Sequence, residues 1–298
     1  MAEVLSKGGL FDPILVKDLI SKVQGKSSLA KLSKQIPLAF NGNKEFIFNL
    51  DSDIDVVAEN GKKGHGGMSL EPVTMIPIKV EYGARISDEF KNASENERLD
   101  ILRAFNDGFS KKLARGFDIM ALHGLNPRTK AASDVIGNNC FDKKVTQTVA
   151  FDGKDADGAI ENAVNTVEAA DGEVSGLAID PSFRAILAKT TTDAEGKGVR
   201  LYPELRYGGN PDSINGLALD VNRTVSAETT SKAYVGDFAE MFRWGYAKNV
   251  WFETIEYGDP DNSGKDLKGH NQIYLRAEAY LGWGILVPEH FAIVKQGA

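Results

Sequence analysis

The chain has one cysteine, Cys140, among 298 residues, so it cannot close an intrachain disulfide, and folding in a reducing cytoplasm fits it. Its four histidines, His65, His123, His270 and His290, are scattered without the spacing of a metal site. No run approaches the ~20 apolar residues that a membrane span needs. The N-terminus, Met-Ala-Glu-Val-Leu-Ser-Lys, lacks a basic region followed by an apolar stretch, so neither secretion by that route nor membrane embedding is expected. The triplets Asn92-Ala-Ser94 and Asn222-Arg-Thr224 then read as chance matches to a glycosylation signal. Positive charge is also short: 35 Lys and Arg against 42 Asp and Glu leave a net charge of −7, and any contact with nucleic acid must come from a local basic face.

Catalytic signatures are missing as well. There is no Gly-x-Ser-x-Gly, no Gly-x-x-x-x-Gly-Lys-Ser/Thr and no His-Glu-x-x-His. The glycine-rich Gly61-Lys62-Lys63-Gly64-His65-Gly66-Gly67 could cradle an anion only if a helix followed it, and a β-prone run follows instead; it reads as a hairpin tip. Asp259-Pro260-Asp261-Asn262-Ser263-Gly264 matches the first half of a calcium loop, but His270 stands where a bidentate Glu belongs and no helices flank it, so a turn or a subunit contact is the better reading. His123 lies on an apolar helical stripe, where a satisfied interior or interface histidine is expected in place of a ligand. Cys140 falls in a polar loop with no adjacent base. No catalytic residue, cofactor or metal is assigned, and a metabolic α/β enzyme would need a convergent set of ionisable residues that the sequence does not offer.

What is present is a chain that is 42% hydrophobic and 9% aromatic, enough to bury a real core. Residues 12–25 read as a short amphipathic helix with Asp12 as N-cap, Pro13 at the first turn, Leu15, Leu19 and Val23 on one face and Gly25 as the stop. Residues 1–38 otherwise carry no core-like run and are expected to form an arm that packs on a neighbouring subunit, in preference to an arm folded back on its own domain. Glu45–Leu50 and Val73–Tyr82 flank the glycine-rich tip as a long hairpin, ~35 residues reaching roughly 40 Å at about 3.3 Å per residue. An isolated hairpin is marginal in water, so this one should lean on another chain. Ser94-Glu-Asn-Glu97 is a capping box, and Leu102, Phe105, Phe109, Leu113, Gly116, Met120 and His123 then follow a helical stripe to Gly124. About 30 helical residues would span ~45 Å.

After a polar link near 130–157 the pattern turns α/β. Ile160, Ala163, Val164 and Val167 mark a helix, Gly176–Asp180 a buried strand, Asp180-Pro181 a helix start, and Leu217–Val221 and Ala233–Asp237 further strands. Strands are expected again near 248–257 and 271–286. In the second, Leu275, Ala277, Ala279 and Leu281 share one parity while Tyr274, Arg276, Glu278 and Tyr280 share the other, a face that is either solvated or turned to a neighbour.

This order of parts resembles the major capsid proteins of tailed bacteriophages. The text that carries the resemblance is Leu201-Tyr-Pro-Glu-Leu-Arg-Tyr-Gly-Gly209, Ile214–Leu219, Tyr234-Val-Gly-Asp-Phe238, Arg276-Ala-Glu-Ala-Tyr280 and Pro288-Glu-His-Phe291. The resemblance implies an α+β fold with an N-terminal arm (1–38), an extended β-hairpin loop (39–78), a peripheral domain with a long spine helix (79–150 and 239–283) and an axial α/β domain (151–238 and 284–298). It implies a shell subunit that forms pentamers and hexamers around double-stranded DNA, or, as the alternative, a subunit of an encapsulin-like compartment holding enzyme cargo. Expected subunit contacts are Lys62, Lys63 and His65 of the hairpin tip, Tyr202, Arg206 and Tyr207 of the axial loop, and Asp259, Asp261, Asn271, Arg276 and Glu278. Expected inner-face contacts to packaged DNA are Lys17, Lys22, Lys26, Lys31 and Lys34, generic and electrostatic. The short arm points to a separate scaffolding protein or a processed chain, and a portal protein and a decoration protein are further partners. Some family members weld subunits through a Lys-to-Asn isopeptide bond assisted by a Glu. Asn271 and Glu278 sit at plausible positions, but Lys62 and Lys63 are at the tip instead of on the second arm, so no cross-link is expected.

Overall fold

The computed structural model of the protein describes residues 27–50, 52–89, 95–193 and 198–297. The helix expected over 12–25, the Ser94 cap and the lysines Lys17, Lys22 and Lys26 lie outside the described residues.

The chain enters through helix α1 (Ser28–Leu32), whose N-cap Ser27 accepts a hydrogen bond from the Ala30 amide. Residues 27–38 do not wait for a neighbour. Leu29, Ala30, Leu32 and Leu38 are buried in this chain's own core, and the Ile36 amide donates to the Trp244 carbonyl at 2.8 Å. The expectation of an arm laid on another subunit is therefore corrected for this stretch: leucines too sparse to read as a core run are sufficient once a preformed surface receives them.

Strands β1 (Asn43–Leu50) and β2 (Met68–Met75) pair antiparallel from Asn43↔Met75 to Leu50↔Met68. The run Val73–Tyr82 is not one hairpin arm. It breaks at Ile76-Pro77, where proline offers no amide to a ladder, and strand β3 (Ile78–Ser87) joins a different sheet.

Helix α2 (Glu95–Asp118) is ~36 Å long at 1.5 Å per residue and turns Leu102, Phe109, Leu113 and Phe117 inward, as their spacing requires. It ends in a π-helical turn, Ile119–His123, whose five residues are all buried. Gly124 stops it at φ +70°, where a Cβ would also lie 2.8 Å from Cys140 Sγ. The "polar link" that follows holds structure: helix α3 (Phe141–Lys144) and strand β4 (Thr148–Phe151). Cys140 lies in the loop just before α3, as its N-cap, but is fully buried there, and burial raises its thiol pKa, which keeps it unreactive.

Helix α4 (Ala156–Glu168), strand β5 (Gly176–Ile179) and helix α5 (Pro181–Leu187, with Asp180 capping Ser182) fall where the sequence places them. After strands β6 (Ser213–Ile214), β7 (Leu217–Val221) and β8 (Ser231–Gly236), the long antiparallel pair β9 (Phe242–Ile255) and β10 (Gln272–Ile285) completes a three-stranded sheet ordered β3-β10-β9. The last strand, β11 (Phe291–Gln296), inserts between β4 and β8 in a six-stranded sheet ordered β4-β11-β8-β5-β7-β6.

That sheet is buried on both faces. Ala233, Val235, Ala292 and Val294 meet α4, α5 and Phe183 on one side, while Tyr234, Phe291 and Ile293 point into an aromatic core on the other. In that core Phe117 lies between Trp244 and Trp283 at 5.2 and 5.9 Å, and Phe141 meets Phe291 edge-on at 5.0 Å. Two-sided burial is why these strands read as short unbroken apolar runs. No helix among the described residues is long and apolar enough to cross a membrane.

Candidate assembly surfaces

Among the described residues, the β1–β2 ribbon gathers several uncovered apolar side chains on one face. Pairing Phe46↔Pro72, Phe48↔Leu70 and Leu50↔Met68 puts one parity of both strands on one face, and there Phe46, Phe48, Leu70 and Met68 are 60%, 58%, 57% and 73% exposed. Only the base of the ribbon is docked. Met75 is fully buried against β10, so tightly that a Cβ on Gly284 would lie 2.6 Å from its Cγ. Beyond the ribbon, residues 52–67 hold exposed Ile54 and Val56, together with Lys62, Lys63 and His65, which are all exposed.

The three-stranded sheet shows the two faces its alternation promised. Leu275, Ala277, Ala279 and Leu281 are buried against α2 and its partners. On the opposite face Lys79 contacts Glu278 at 2.8 Å, Glu278 contacts Arg276 at 3.3 Å, and Arg276 reaches Glu253 at 2.7 Å. Lys79 and Arg276 are held charged by these partners, Glu278 foremost for Lys79 and Glu253 for Arg276. The face is a cross-strand charge ladder.

The loop after β9 is organised by Arg85 of β3. Its guanidinium donates to Asp259 Oδ1 at 2.6 Å, to both Asp261 oxygens, to Gln272 Oε1 at 3.1 Å and to the Lys265 carbonyl at 2.8 Å. Asp259 in turn accepts from the Ser263 and Gly264 amides. The hydrogen bond from Arg85 holds the Asp261 carboxyl well below the usual carboxylate range. A cation is thus built into the loop that the sequence likened to a calcium site, and among the described residues no group of three His, Cys, Asp or Glu is placed to hold a metal. Asn271 closes the loop at φ +53°, its carbonyl taking the Asp88 amide. Replacing Arg85 with Gln is expected to expose Lys265 and Lys268 to trypsin while far-ultraviolet circular dichroism stays unchanged. Resistance equal to the parent would show that the Asp259 turn alone holds the loop.

The stretch 198–209 projects from the end of α5. Tyr202 donates to Asp157 Oδ1 at 2.5 Å, and burial with that bond raises its pKa. Tyr207 stands almost fully exposed at φ +54°, with Arg206 4.8 Å over its ring. Of the two described lysines expected to meet DNA, Lys34 is exposed but Lys31 is engaged by Asp212 at 3.1 Å and Asp220 at 3.5 Å, which ties α1 to the β6–β7 region in place of a free cation.

Two buried clusters complete the interior; the histidine of the first was expected from its place on the apolar stripe, and the second was not foreseen. His123 bonds Asp142 Oδ2 at 2.7 Å and the Thr224 carbonyl at 2.8 Å, a satisfied interior histidine. Burial would raise the Asp142 carboxyl, yet the bond and charge of His123 and the Tyr234 hydroxyl carry it below its ordinary value. Asp118, at the end of α2, accepts from the Ser27 hydroxyl, the Ser28 and Leu29 amides at 3.0 and 3.3 Å, and Thr224 Oγ1 at 2.7 Å. The only signals were an apolar stripe interrupted by Asp118 and the alternation in Phe46-Ile-Phe48.

A model of the phage capsid family matches residues 8–296. A solved chain from Mycobacterium phage Ogopogo is 34% identical over 91% of this chain and 92% of its own, with a TM-score of 0.76. One from Gordonia phage Cozz is 28% identical over 91% and 87%, at 0.74. The capsid of a native GTA particle, 14% identical over 91% and 90% at 0.63, shares the fold. No curated protein matches.

Proposed function

Since the chain belongs to the phage capsid family and is a major capsid protein with the tailed-phage capsid fold, we propose that its β1–β2 ribbon lies over an adjacent copy and that this contact drives closure of the shell. The supporting observation is the apolar face of Phe46, Phe48, Met68 and Leu70, which the chain leaves in water. A patch of aromatic and aliphatic side chains on a two-stranded ribbon is unstable alone and needs a partner surface. In a shell of identical subunits another copy is always at hand.

On this reading residues 39–78 are the extended loop, 94–123 the spine, 79–150 with 239–283 the peripheral domain, and 151–238 with 284–298 the axial domain. The chain forms pentamers and hexamers of an icosahedral head in the host cytoplasm and has no catalytic role. The exposed tips at 62–65, 206–207 and 259–271 are where further subunit contacts fall, and the charge ladder through Arg276 and Glu278 is a candidate seam. Packaged double-stranded DNA meets the inner face through generic phosphate contacts, for which Lys34, Lys17, Lys22 and Lys26 remain candidates. A shell filled through one vertex needs a portal protein and a guide to its curvature, hence a scaffolding protein; a decoration protein is an optional addition.

Negative-stain electron microscopy of the recombinant chain is expected to show shells, tubes or capsomer rings. Boiled in denaturant, these should run as monomers, because Glu278 is already engaged by Lys79 and Arg276 and is not free to assist a Lys-to-Asn bond. A chain that stays monomeric when concentrated with its scaffolding protein would overturn the assembly reading, and covalent ladders would overturn the second.

A further inference from the structure

An open cleft of about 310 Å³ lies between the C-terminal end of α5 and the turn Pro203–Gly208, and Arg184, Lys189, Arg200 and Arg206 all line it. Four cations converge here in a chain whose net charge is −7. Among the described residues no carboxylate pairs with any of the four; the ion pairs of this chain form elsewhere. Their hydrogen bonds go instead to uncharged oxygens. Arg184 Nη1 donates to the Leu205 carbonyl at 3.1 Å, Arg200 Nη1 to the Ala188 carbonyl at 3.2 Å, and Arg206 Nη2 to the Tyr207 hydroxyl at 2.9 Å. Arg184 Nε is buried with no acceptor at all.

Like charges gathered in this way repel one another, and a surface lysine or arginine normally relieves that by fanning into water. Here two guanidinium groups are pinned by backbone carbonyls, so the cluster is held in place before any ligand arrives, which lowers the entropy lost on binding. Each guanidinium still has several N–H donors beyond the one it uses. A lone carboxylate brings one charge and two oxygens; successive phosphates, of a polyphosphate or of a strand, each bring at least one charge and two or three unesterified oxygens, so that several planar arginine forks can be met at once. The volume sits at the lower end of the range for small-molecule sites, too small for a duplex and sufficient for one or two phosphoryl groups.

We propose that this cleft is a phosphate-binding site, taking either the phosphates of a small compound or the phosphodiesters of a single strand. It is distinct from the generic DNA contacts of the arm, and it stands whether or not the chain builds a shell. Isothermal titration of the intact chain with sodium tripolyphosphate is expected to saturate at one site per chain. In the double variant Lys189→Gln/Arg206→Gln, whose two side chains are exposed and hold no core contact, affinity should fall at least tenfold while the melting temperature without ligand stays unchanged. Competition by a dT12 oligonucleotide would identify a strand as the source of phosphate, and tripolyphosphate binding without such competition would identify a small compound. No saturable binding of either probe, equal binding by the double variant, or citrate binding as tightly as tripolyphosphate would overturn the assignment.

Discussion

Replacing Phe46 and Phe48 together by Asp is expected to abolish shells at concentrations where the parent chain assembles, while the isolated subunit keeps its melting temperature. Both rings are more than half exposed, so their removal takes nothing from either core. Covering the exposed fraction of each phenyl group contributes about 1–2 kcal/mol to that contact. Losing two removes roughly 2–4 kcal/mol per contact, at least on the order of thirtyfold in affinity, and burying a carboxylate in the same place adds a desolvation cost. The loss recurs at every copy of the contact, so closed particles should vanish as a class. Aspartate is also a poor strand residue, and the pair Phe46→Thr/Phe48→Thr separates the two effects. Threonine keeps the strand and removes only the apolar area, so this pair should raise the concentration needed for assembly without unfolding the ribbon. Sedimentation velocity and electron microscopy read both outcomes. Shells from the Asp pair at the parent's threshold would mean that the ribbon's apolar face meets no neighbour.

The parts of this molecule that were legible in its sequence are those where one periodicity runs uninterrupted against one environment. Leu102, Phe109 and Leu113 are all turned inward from one face of a single helix, and Leu275 to Leu281 alternate against charged neighbours on one strand, so three or four residues suffice to read each element. Asp180-Pro181 is legible for a different reason: a cap is a local hydrogen bond between neighbours in sequence. What could not be read depends on residues far apart. Arg85 and Asp261 are 176 positions apart, and Ser27 and Asp118 are 91 apart, so no local pattern announces either contact. The strand at Phe291–Gln296 was hidden because burial on both faces erases alternation. The break at Pro77 was visible as a residue but not as a consequence. Only the pairing of Ile78–Ser87 with β10 shows that the ribbon ends there. The assembly face itself was half legible: Phe46 and Phe48 share a parity, but that parity reads as core until the structure leaves it uncovered.

Asp118→Ala is expected to be the most destabilising single substitution among the polar groups, by at least about 3 kcal/mol, because each stranded donor costs about 1–3 kcal/mol and five are left behind, the long contact from Asn222 Nδ2 included. The carboxylate joins three parts of the chain. It ends the straight portion of α2, completes the cap of α1 by accepting two first-turn amides, and takes the Thr224 hydroxyl from beyond β7. Without it, residues 27–38 should become the first segment cut by a protease, although their leucines are untouched. Asp118→Asn keeps the volume but turns an amide donor toward other donors, so it too should destabilise. The two variants differ from the parent in a further, signed way. Burial raises the Asp118 carboxyl from 3.8 to about 6, outweighing the donors that pull it down. A carboxyl raised on folding means that the folded chain binds the proton more tightly, so the stability it contributes is complete below about pH 4, falls as pH rises toward 6, and is level above that. The hydroxyls of Ser27 and Thr224 can rotate to accept the proton, which makes the protonated state tolerable in the same cage. Measured by denaturant unfolding in the non-assembling Phe46→Asp/Phe48→Asp background, parent stability minus Asp118→Asn stability should therefore decline between pH 4 and 6, by on the order of 3 kcal/mol. A flat difference would mean that the donors, not burial, set the proton affinity of this carboxyl. It would then be an ordinary anionic cap whose contribution is lost only in acid.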